Sequence, residues 1–209
     1  MEAASDRCGR TIYLLSDEVY RKIVYDGAPF ESPTNFYRNS IMIYSYGKTL
    51  LTPGQRIGYV ALSPEMDERE ALRTVVFSSQ ILCGWAMSSA LMQHALPELE
   101  SLSLDVEALQ KRRDLFVNGL RDCGYDVQSP EGAFYLLLKT PIEDDARFAN
   151  LLAEEGVFCL PGHVVEMPGY LRASVTATDE MIERALPKFA AVRERCGTAN
   201  PILRTEVPS

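Results

Sequence analysis

The sequence has 209 residues, of which 46% are hydrophobic and 24% are charged, a composition that is ordinary for a globular protein of one large or two small domains. The formal net charge of -8 argues against a protein that binds nucleic-acid backbones in general. No apolar run approaches the roughly 18 residues of a membrane-spanning helix, and the first residues lack the apolar core of a secretory signal.

Three short apolar runs near the start of the chain predict strands of a parallel-type sheet that are buried on both faces. They follow residues 2–10, which resemble the last turns of a helix with Gly9 near its end. The runs are residues 11–15, 41–44 and 57–62.

Polar side chains follow the first two of these predicted strands. Asp17 comes just past the first strand, and Ser45 and Lys48 come just past the second. In open α/β sheets, ligands bind beyond the carboxyl ends of the strands. The sequence therefore predicts a ligand site at this edge of the sheet.

The rest of the chain predicts a helical segment and then a distinct α+β unit. A helical pattern over residues 68–96 is closed by Pro97. The later elements are a helix over 105–122 before Gly124, a strand over 132–138, a helix over 144–155 ended by Gly156, strands over 157–160 and 170–175, and a helix over 179–195 capped by Thr178. Several residues of the final helix, Met181 among them, are predicted to face inward.

These elements predict two domains with a helical junction. The predicted bounds are 1–75 for the sheet domain, 76–105 for the interdomain helical segment, 106–195 for the α+β domain and 196–209 for a loose tail.

Lys48 has the neighbours that are needed to bind a phosphorylated aldehyde. It stands three residues after Ser45 and eight before Arg56. The amine can form an imine with an aldehyde, while a hydroxyl and a guanidinium can bind phosphate oxygens. Once released, the amine can act as a general base at a substrate α-carbon. A single lysine is usually an ordinary surface residue, but the joint spacing favours a functional site.

Three further residues are candidates for the same chemistry. Asp17 can keep a pyridine nitrogen protonated, and Tyr20 can donate to a phenolic oxygen, although a strand-end cap and a packing residue are the ordinary alternatives. Arg172 can bind a substrate α-carboxylate through its planar fork. From the pattern alone, a surface arginine on a strand is an equally good interpretation of Arg172.

The cysteines and histidines predict neither disulfides nor a metal site. The five cysteines are an odd number without a C-x-x-C pair, so we interpret them as reduced thiols of a cytosolic protein. The two histidines, His94 and His163, have no second ligand near them in sequence.

Taken together, the motifs resemble those of the fold-type-I pyridoxal-phosphate enzymes, class I/II aminotransferases. The motifs are Asp17-Glu18-Val19-Tyr20, Ser45-x-x-Lys48 and Gly54-x-Arg56-x-Gly58-Tyr59, and the later segments 132–135, 161–162 and 170–172 agree with them. The resemblance extends from about residue 2 to residue 193.

The resemblance implies a role for each candidate residue. Lys48 would bind pyridoxal 5'-phosphate covalently, Asp17 would meet its pyridine nitrogen, Tyr20 its 3-hydroxyl, and Ser45 and Arg56 its phosphate, while Arg172 would bind the amino-acid carboxylate. It also implies an α/β chain that forms the C-terminal part of a cofactor-binding large domain, followed by a small α+β domain. The expected protein is cytoplasmic and acts on amino acids and 2-oxo acids, with no nucleic-acid or membrane partner, and its full-length parent is expected to be a homodimer.

The chain departs from this family in its length. Family members are about twice as long, near the upper range for a subunit of one large and one small domain. We therefore expect an N-terminally truncated chain that lacks a glycine-rich phosphate turn, a ring-stacking aromatic residue and an asparagine that contacts the 3-hydroxyl. Smaller departures are Gly47, where serine or alanine is common, and Val165, where phenylalanine is common.

Three other functions remain open from the sequence. A lyase of the same fold shares the first chemical steps with an aminotransferase. An aminotransferase-like effector-binding domain and a catalytically inactive fragment are the others. We also expect the strands between residues 11 and 62 to leave open edges that favour self-association.

Overall fold

The computed structural model describes residues 1–50, 52–85 and 87–198. The chain divides into two compact units, Met1–Leu104 and Asp105–Ser209. None of the helices in the described ranges combines the length and the apolar character that are needed to cross a membrane.

The first unit contains a small sheet, two longer helices and two short ones. Its elements are α1 Glu2–Cys8, β1 Leu14–Asp17, β2 Ser40–Ser45, α2 Tyr46–Thr49, β3 Gly58–Leu62, α3 Arg69–Leu82 and α4 Ala90–Leu99. Single 3₁₀ turns span Pro33–Phe36 and Pro53–Gln55. As predicted, Gly9 ends the first helix in a left-handed conformation.

The sheet of the first unit has the order β1-β2-β3 and is mixed. Strands β1 and β2 are parallel, as the sequence predicted. Strand β3 instead runs antiparallel to β2, with Ser45 opposite Gly58. The connection from β2 to β3 contains only two short turns, whereas a parallel return normally needs a longer crossover helix.

Further predictions for this unit were also wrong. The first strand spans Leu14–Asp17 rather than residues 11–15. It is not buried on both faces, because it lies at an edge of the sheet and Leu15 is 61% exposed. Strand β3 is not buried on both faces either, since Tyr59 is 42% exposed. The predicted helix over residues 68–96 is two helices, because Gly84 adopts a φ of 78° after α3 and Ser89 then caps α4. Pro97 lies inside α4 rather than after it.

The second unit packs three helices against an antiparallel sheet. Its elements are α5 Val106–Asp122, β4 Tyr135–Lys139, α6 Asp145–Glu154, β5 Leu160–Pro161, β6 Tyr170–Ser174 and α7 Asp179–Thr198. A single 3₁₀ turn spans Gly162–Val165, and the strand order is β4-β6-β5.

The core of the second unit lies between one face of this sheet and the three helices. Its fully or almost fully buried side chains include Phe116, Leu120, Leu136, Leu138, Phe148, Leu152, Leu171, Ile182 and Phe189. Each large apolar side chain that is buried stabilises the fold by about 1.5–3 kcal/mol. The Tyr125 hydroxyl also donates to the Phe189 carbonyl at 2.8 Å, which ties α7 to the chain after α5.

The predicted helices of this unit are confirmed, and three details are wrong. The strand expected over residues 132–138 is found at Tyr135–Lys139, and the strand expected over residues 157–160 is limited to Leu160–Pro161. Met181, which was predicted to face inward, is 51% exposed. The last helix continues to Thr198, and the rest of the predicted loose tail, from residue 199, lies outside the described residues.

Candidate functional site

The candidate site of the first unit lies at the sheet edge where β1 and β2 end. Asp17 is the last residue of β1 and pairs with Ile43, and Ser45 is the last residue of β2. Because the two strands are parallel, their carboxyl ends share this edge. Asp17 is exposed, and its Oδ1 accepts the N–H of Val19 at 3.4 Å where the chain turns toward Tyr20.

Ser45 begins the short helical turn that carries Lys48. Its Oγ accepts the N–H of Gly47 at 3.3 Å and so caps α2. Lys48 is half-buried, and its Nζ lies 5.6 Å from the centre of the Tyr20 ring. A cation at this distance from an aromatic ring is attracted to it. The structure therefore brings together Lys48 and Tyr20, which the sequence had proposed for one site.

Arg56 comes to the same edge because β3 is antiparallel to β2. Gly58, the first residue of β3, lies opposite Ser45 at the end of β2. Arg56 precedes it in a left-handed conformation with a φ of 48°. Its side chain is exposed, and Nη1 donates to the Pro53 carbonyl at 3.0 Å. The backbone of Arg56 thus neighbours Ser45, while its guanidinium is bound to the preceding turn.

A small apolar cluster supports the turn that carries Lys48. It consists of the buried side chains of Tyr44, Tyr46, Ile57 and Met92. The hydroxyls of Tyr44 and Thr49 share a hydrogen bond of 2.8 Å, which anchors the last residue of α2. Burial raises the pKa of Tyr46 well above its ordinary value, so this phenol keeps its proton.

Two polar groups of this unit are buried without any signal in the sequence. Glu18, beside Asp17, is only 3% exposed and accepts a hydrogen bond from the Ser32 hydroxyl. The Thr52 Oγ1 atom is buried and has no hydrogen-bond partner among the residues that the structure describes. Neither could be predicted, because a sequence does not tell which of two adjacent carboxylates or which loop hydroxyl becomes buried.

Arg172 lies in the middle of the sheet of the second unit. It pairs with Leu137 of β4 and with Leu160 of β5. Its neighbour Leu171 is fully buried, so Arg172 projects from the opposite face of the sheet. The guanidinium carbon lies 4.3 Å from the centre of the Tyr135 ring, and this stacking orients the planar fork.

A buried carboxylate binds His163 in the second unit, and this contact was also missed. Asp145 is 4% exposed, and its Oδ1 lies 2.5 Å from Nδ1 of His163. Its Oδ2 accepts the N–H groups of His163 at 3.1 Å and of Gly169 at 2.9 Å. The hydrogen bond from the His163 ring, followed by these backbone bonds, holds the pKa of Asp145 below its ordinary value.

Comparisons with known proteins agree on one family. The model of the family described as aminotransferase class I and II matches residues 3–189. The chain is 32% identical over 187 residues to the aspartate/prephenate aminotransferase of Thermus thermophilus, covering 88% of this chain and 48% of that protein. It is 35% identical over 184 residues to a probable aspartate aminotransferase of Methanocaldococcus jannaschii, covering 84% of this chain and 48% of that protein.

A solved structure shows the same likeness in three dimensions. The crystal structure of an amino transferase from Eubacterium rectale matches with a TM-score of 0.88 at 33% sequence identity, over 93% of this chain and 49% of that one. The chain thus spans about half the length of the curated relatives it matches.

Proposed function

This chain belongs to the aminotransferase class I and II family, and we propose that it takes part in moving an amino group from an amino acid to a 2-oxo acid. The family and the α/β fold class that the sequence predicted are confirmed by the family and structure matches. Enzymes of this family generally depend on pyridoxal 5'-phosphate. We propose that the sheet edge with Lys48 is the site of this cofactor.

The donor set at this edge fits such a cofactor. It offers an amine, a phenol, a carboxylate, a guanidinium and two hydroxyls, from Lys48, Tyr20, Asp17, Arg56, Ser45 and Thr52. The buried Thr52 Oγ1, which has no hydrogen-bond partner among the described residues, supports an anionic ligand in the loop between Lys48 and Arg56, since an unsatisfied buried hydroxyl is unfavourable. The observation that supports the proposal most is the 5.6 Å distance between Lys48 Nζ and the Tyr20 ring.

Each residue would contribute in its own way. Arg56 and Ser45 would hold the phosphate through charge-assisted hydrogen bonds, and Tyr20 would orient the ring through its hydroxyl. The Asp17 carboxylate would hold a proton on the ring nitrogen. The bound cofactor supplies an electron sink that makes the α-proton of an amino acid acidic. Lys48 Nζ would then accept that proton from the substrate α-carbon.

Arg172 is the proposed residue for the substrate carboxylate. A guanidinium binds a carboxylate through two parallel hydrogen bonds, and its stacking on Tyr135 restricts its orientation. The chain spans about half the length of its relatives, so the substrates and the assembly belong to the complete enzyme. For that enzyme we propose amino acids and 2-oxo acids as substrates and a homodimer as the assembly.

Covalent capture of the cofactor tests the proposal. The chain is incubated with an equimolar amount of pyridoxal 5'-phosphate, reduced with borohydride and digested for peptide mass mapping. We expect the adduct on Lys48 in preference to the other lysines, which are Lys22, Lys111, Lys139 and Lys188. The matched control variants are Lys48→Arg, which should lose the adduct, and Lys111→Arg, which should keep it. An even distribution over the lysines, or no adduct at all, would contradict the proposal.

A further inference from the structure

Helix α2, which carries Lys48, is too short to be stable by itself. It has four residues, Tyr46–Thr49. The first turn of a helix orders several residues for one hydrogen bond, so an isolated turn is unfavourable. The start of α2 is capped by the Ser45 hydroxyl, which accepts the Gly47 N–H at 3.3 Å. The place of Lys48 therefore also depends on what holds the end of the turn.

A buried hydrogen bond between two hydroxyls holds that end. The hydroxyl oxygens of Tyr44 and Thr49 lie 2.8 Å apart. The two residues are 3% and 1% exposed, so water does not compete for either group. Thr49 follows Lys48 directly, and Tyr44 precedes the capping residue Ser45. The bond thus closes a loop of the chain around Lys48.

The Tyr44 ring is a fixed point for this bond. Tyr44 lies in β2, the central strand of the sheet, where it pairs with Tyr59 of β3. Its ring packs edge-on against Tyr46 at a centroid distance of 5.1 Å and lies 5.4 Å from the ring of Tyr59. Because the ring is enclosed in this way, its hydroxyl cannot follow Thr49 when the turn opens. Opening of α2 therefore breaks the bond.

We propose that Tyr44 and Thr49 are positioning residues, whose hydrogen bond keeps α2 closed so that the Lys48 amine stays beside the Tyr20 ring. In the closed turn, Lys48 Nζ lies 5.6 Å from the centre of that ring. The two hydroxyls are buried and bonded to each other, so they act through Lys48 and not on a ligand. This inference rests on the proposed function, because that function gives the place of the amine its meaning.

The test compares three variants with a matched control. The variants are Tyr44→Phe, Thr49→Val and the double variant, which keep the shape of the side chains that they change. The control is Tyr59→Phe, since Tyr59 belongs to the same group of rings and its hydroxyl has no hydrogen bond to any residue that the structure describes. The cofactor-free chain is labelled with a trace of acetic anhydride, and the rate at Lys48 is divided by the rate at the exposed Lys111 of the same molecule. This ratio is independent of enzyme activity.

We expect the ratio to rise about fivefold in each single variant. The loss of one ordinary hydrogen bond lets α2 open about five times as often, and an open turn exposes the amine. The double variant should show the same rise, because both substitutions remove one and the same bond. The ratio should stay at the wild-type value in Tyr59→Phe. A wild-type ratio in Tyr44→Phe, or an equal rise in Tyr59→Phe, would overturn the inference.

Urea titrations of the same variants distinguish positioning from a general structural role. Each single variant leaves one buried hydroxyl without its partner and should unfold at a lower urea concentration. The double variant leaves neither hydroxyl and should unfold close to the wild-type midpoint, yet its ratio should stay raised. A ratio that returns to the wild-type value together with the stability would overturn the inference. The double variant also decides the question where a single variant does not fold.

These measurements keep the inference apart from the proposed function. If the wild-type chain forms no cofactor adduct on Lys48, the proposed function fails, while the acetylation ratio still decides the role of the two hydroxyls. If the adduct forms and all three variants keep the wild-type ratio, the proposed function stands and the inference fails.

Discussion

Gly47 lies in the turn between Ser45 and Lys48 and Gly58 lies opposite Ser45, and the space around these two glycines differs. A Cβ atom on Gly58 would lie 2.4 Å from the Tyr44 carbonyl oxygen, a contact with rigid backbone that β3 could relieve only by moving away from β2. A Cβ atom on Gly47 would lie 3.4 Å from Cα of Pro53, which is an ordinary contact. Gly58 is therefore required by the close approach of two strands, whereas Gly47 is not.

Alanine substitutions at these two glycines should change stability in opposite directions. Gly58→Ala should lower the free energy of unfolding by about 1–3 kcal/mol, because it overpacks a site bounded by backbone. Gly47→Ala should raise it by about 0.4–1 kcal/mol, because alanine restricts the unfolded chain and suits a helical turn. Urea titrations followed by circular dichroism measure both changes. Equal stability of Gly58→Ala and the wild type would contradict the close approach.

The sequence predicts the site residues whose position depends on local features. Asp17, Ser45 and Lys48 follow apolar runs, and the parallel pairing of β1 and β2 brings the ends of those runs to one edge. The spacing also predicts Arg56 in this site, but not the antiparallel direction of β3 that brings its backbone to this edge. Strand direction is set by pairing between segments and not by the residues of one segment.

Helices with a strong periodic pattern were predictable, and strands that need a partner were less so. Helix α5 occupies Val106–Asp122 with Asp105 as its cap, in agreement with its pattern, because capping and amphipathicity are properties of the helix itself. Strand β5 is limited to Leu160–Pro161, because a strand extends only where another strand pairs with it. The contact of Asp145 with His163 spans 18 positions and links α6 to a 3₁₀ turn, so no local pattern could show it.

The contact of Asp145 with His163 should make the second unit sensitive to acid. Folding lowers the pKa of the Asp145 carboxyl from its ordinary value of 3.8. The ionised carboxylate therefore contributes fully to the free energy of unfolding above pH 3.8, and this contribution is lost as the pH falls through the lower pKa of the folded state. Asp145→Asn should therefore lower the thermal midpoint at neutral pH, and the difference from the wild type should narrow below about pH 4. Thermal melts by circular dichroism at a series of pH values measure this difference.

Glu143→Gln provides the control for this experiment, because Glu143 is an exposed carboxylate close to the start of the same helix. Its thermal midpoint should differ little from the wild type at any of the pH values, as is usual for surface substitutions. A difference between Asp145→Asn and the wild type that stays constant with pH would show that the carboxylate stabilises the unit without titrating in this range.

Much apolar surface of the first unit is exposed. The exposed side chains include Val75, Phe77, Ile81, Leu82 and Trp85 on and after α3, and Leu15, Tyr59 and Val60 on the sheet. A groove of about 650 Å³ between β3 and α3 is lined by Tyr59, Val60, Phe77 and Trp85 together with polar side chains such as Arg73 and Gln80, so apolar side chains of both elements face one groove. The sequence predicted open strand edges between residues 11 and 62, and the structure also shows exposed apolar side chains on α3. Contiguous apolar patches on a protein surface are typical of sites of association.

We therefore predict that the 209-residue chain self-associates through this surface in a concentration-dependent way. Replacing Leu82 and Trp85, which are 87% and 78% exposed, by glutamate should shift the chain toward monomer, since burying the two new charges would oppose association. The matched control replaces Phe158 and Met181 of the second unit, 85% and 51% exposed, and adds the same two charges. Sedimentation velocity over a range of concentrations measures the populations. A wild-type chain that remains monomeric at every concentration would contradict the prediction. An equal effect of both double variants would also contradict it, because general charge repulsion would then explain the change.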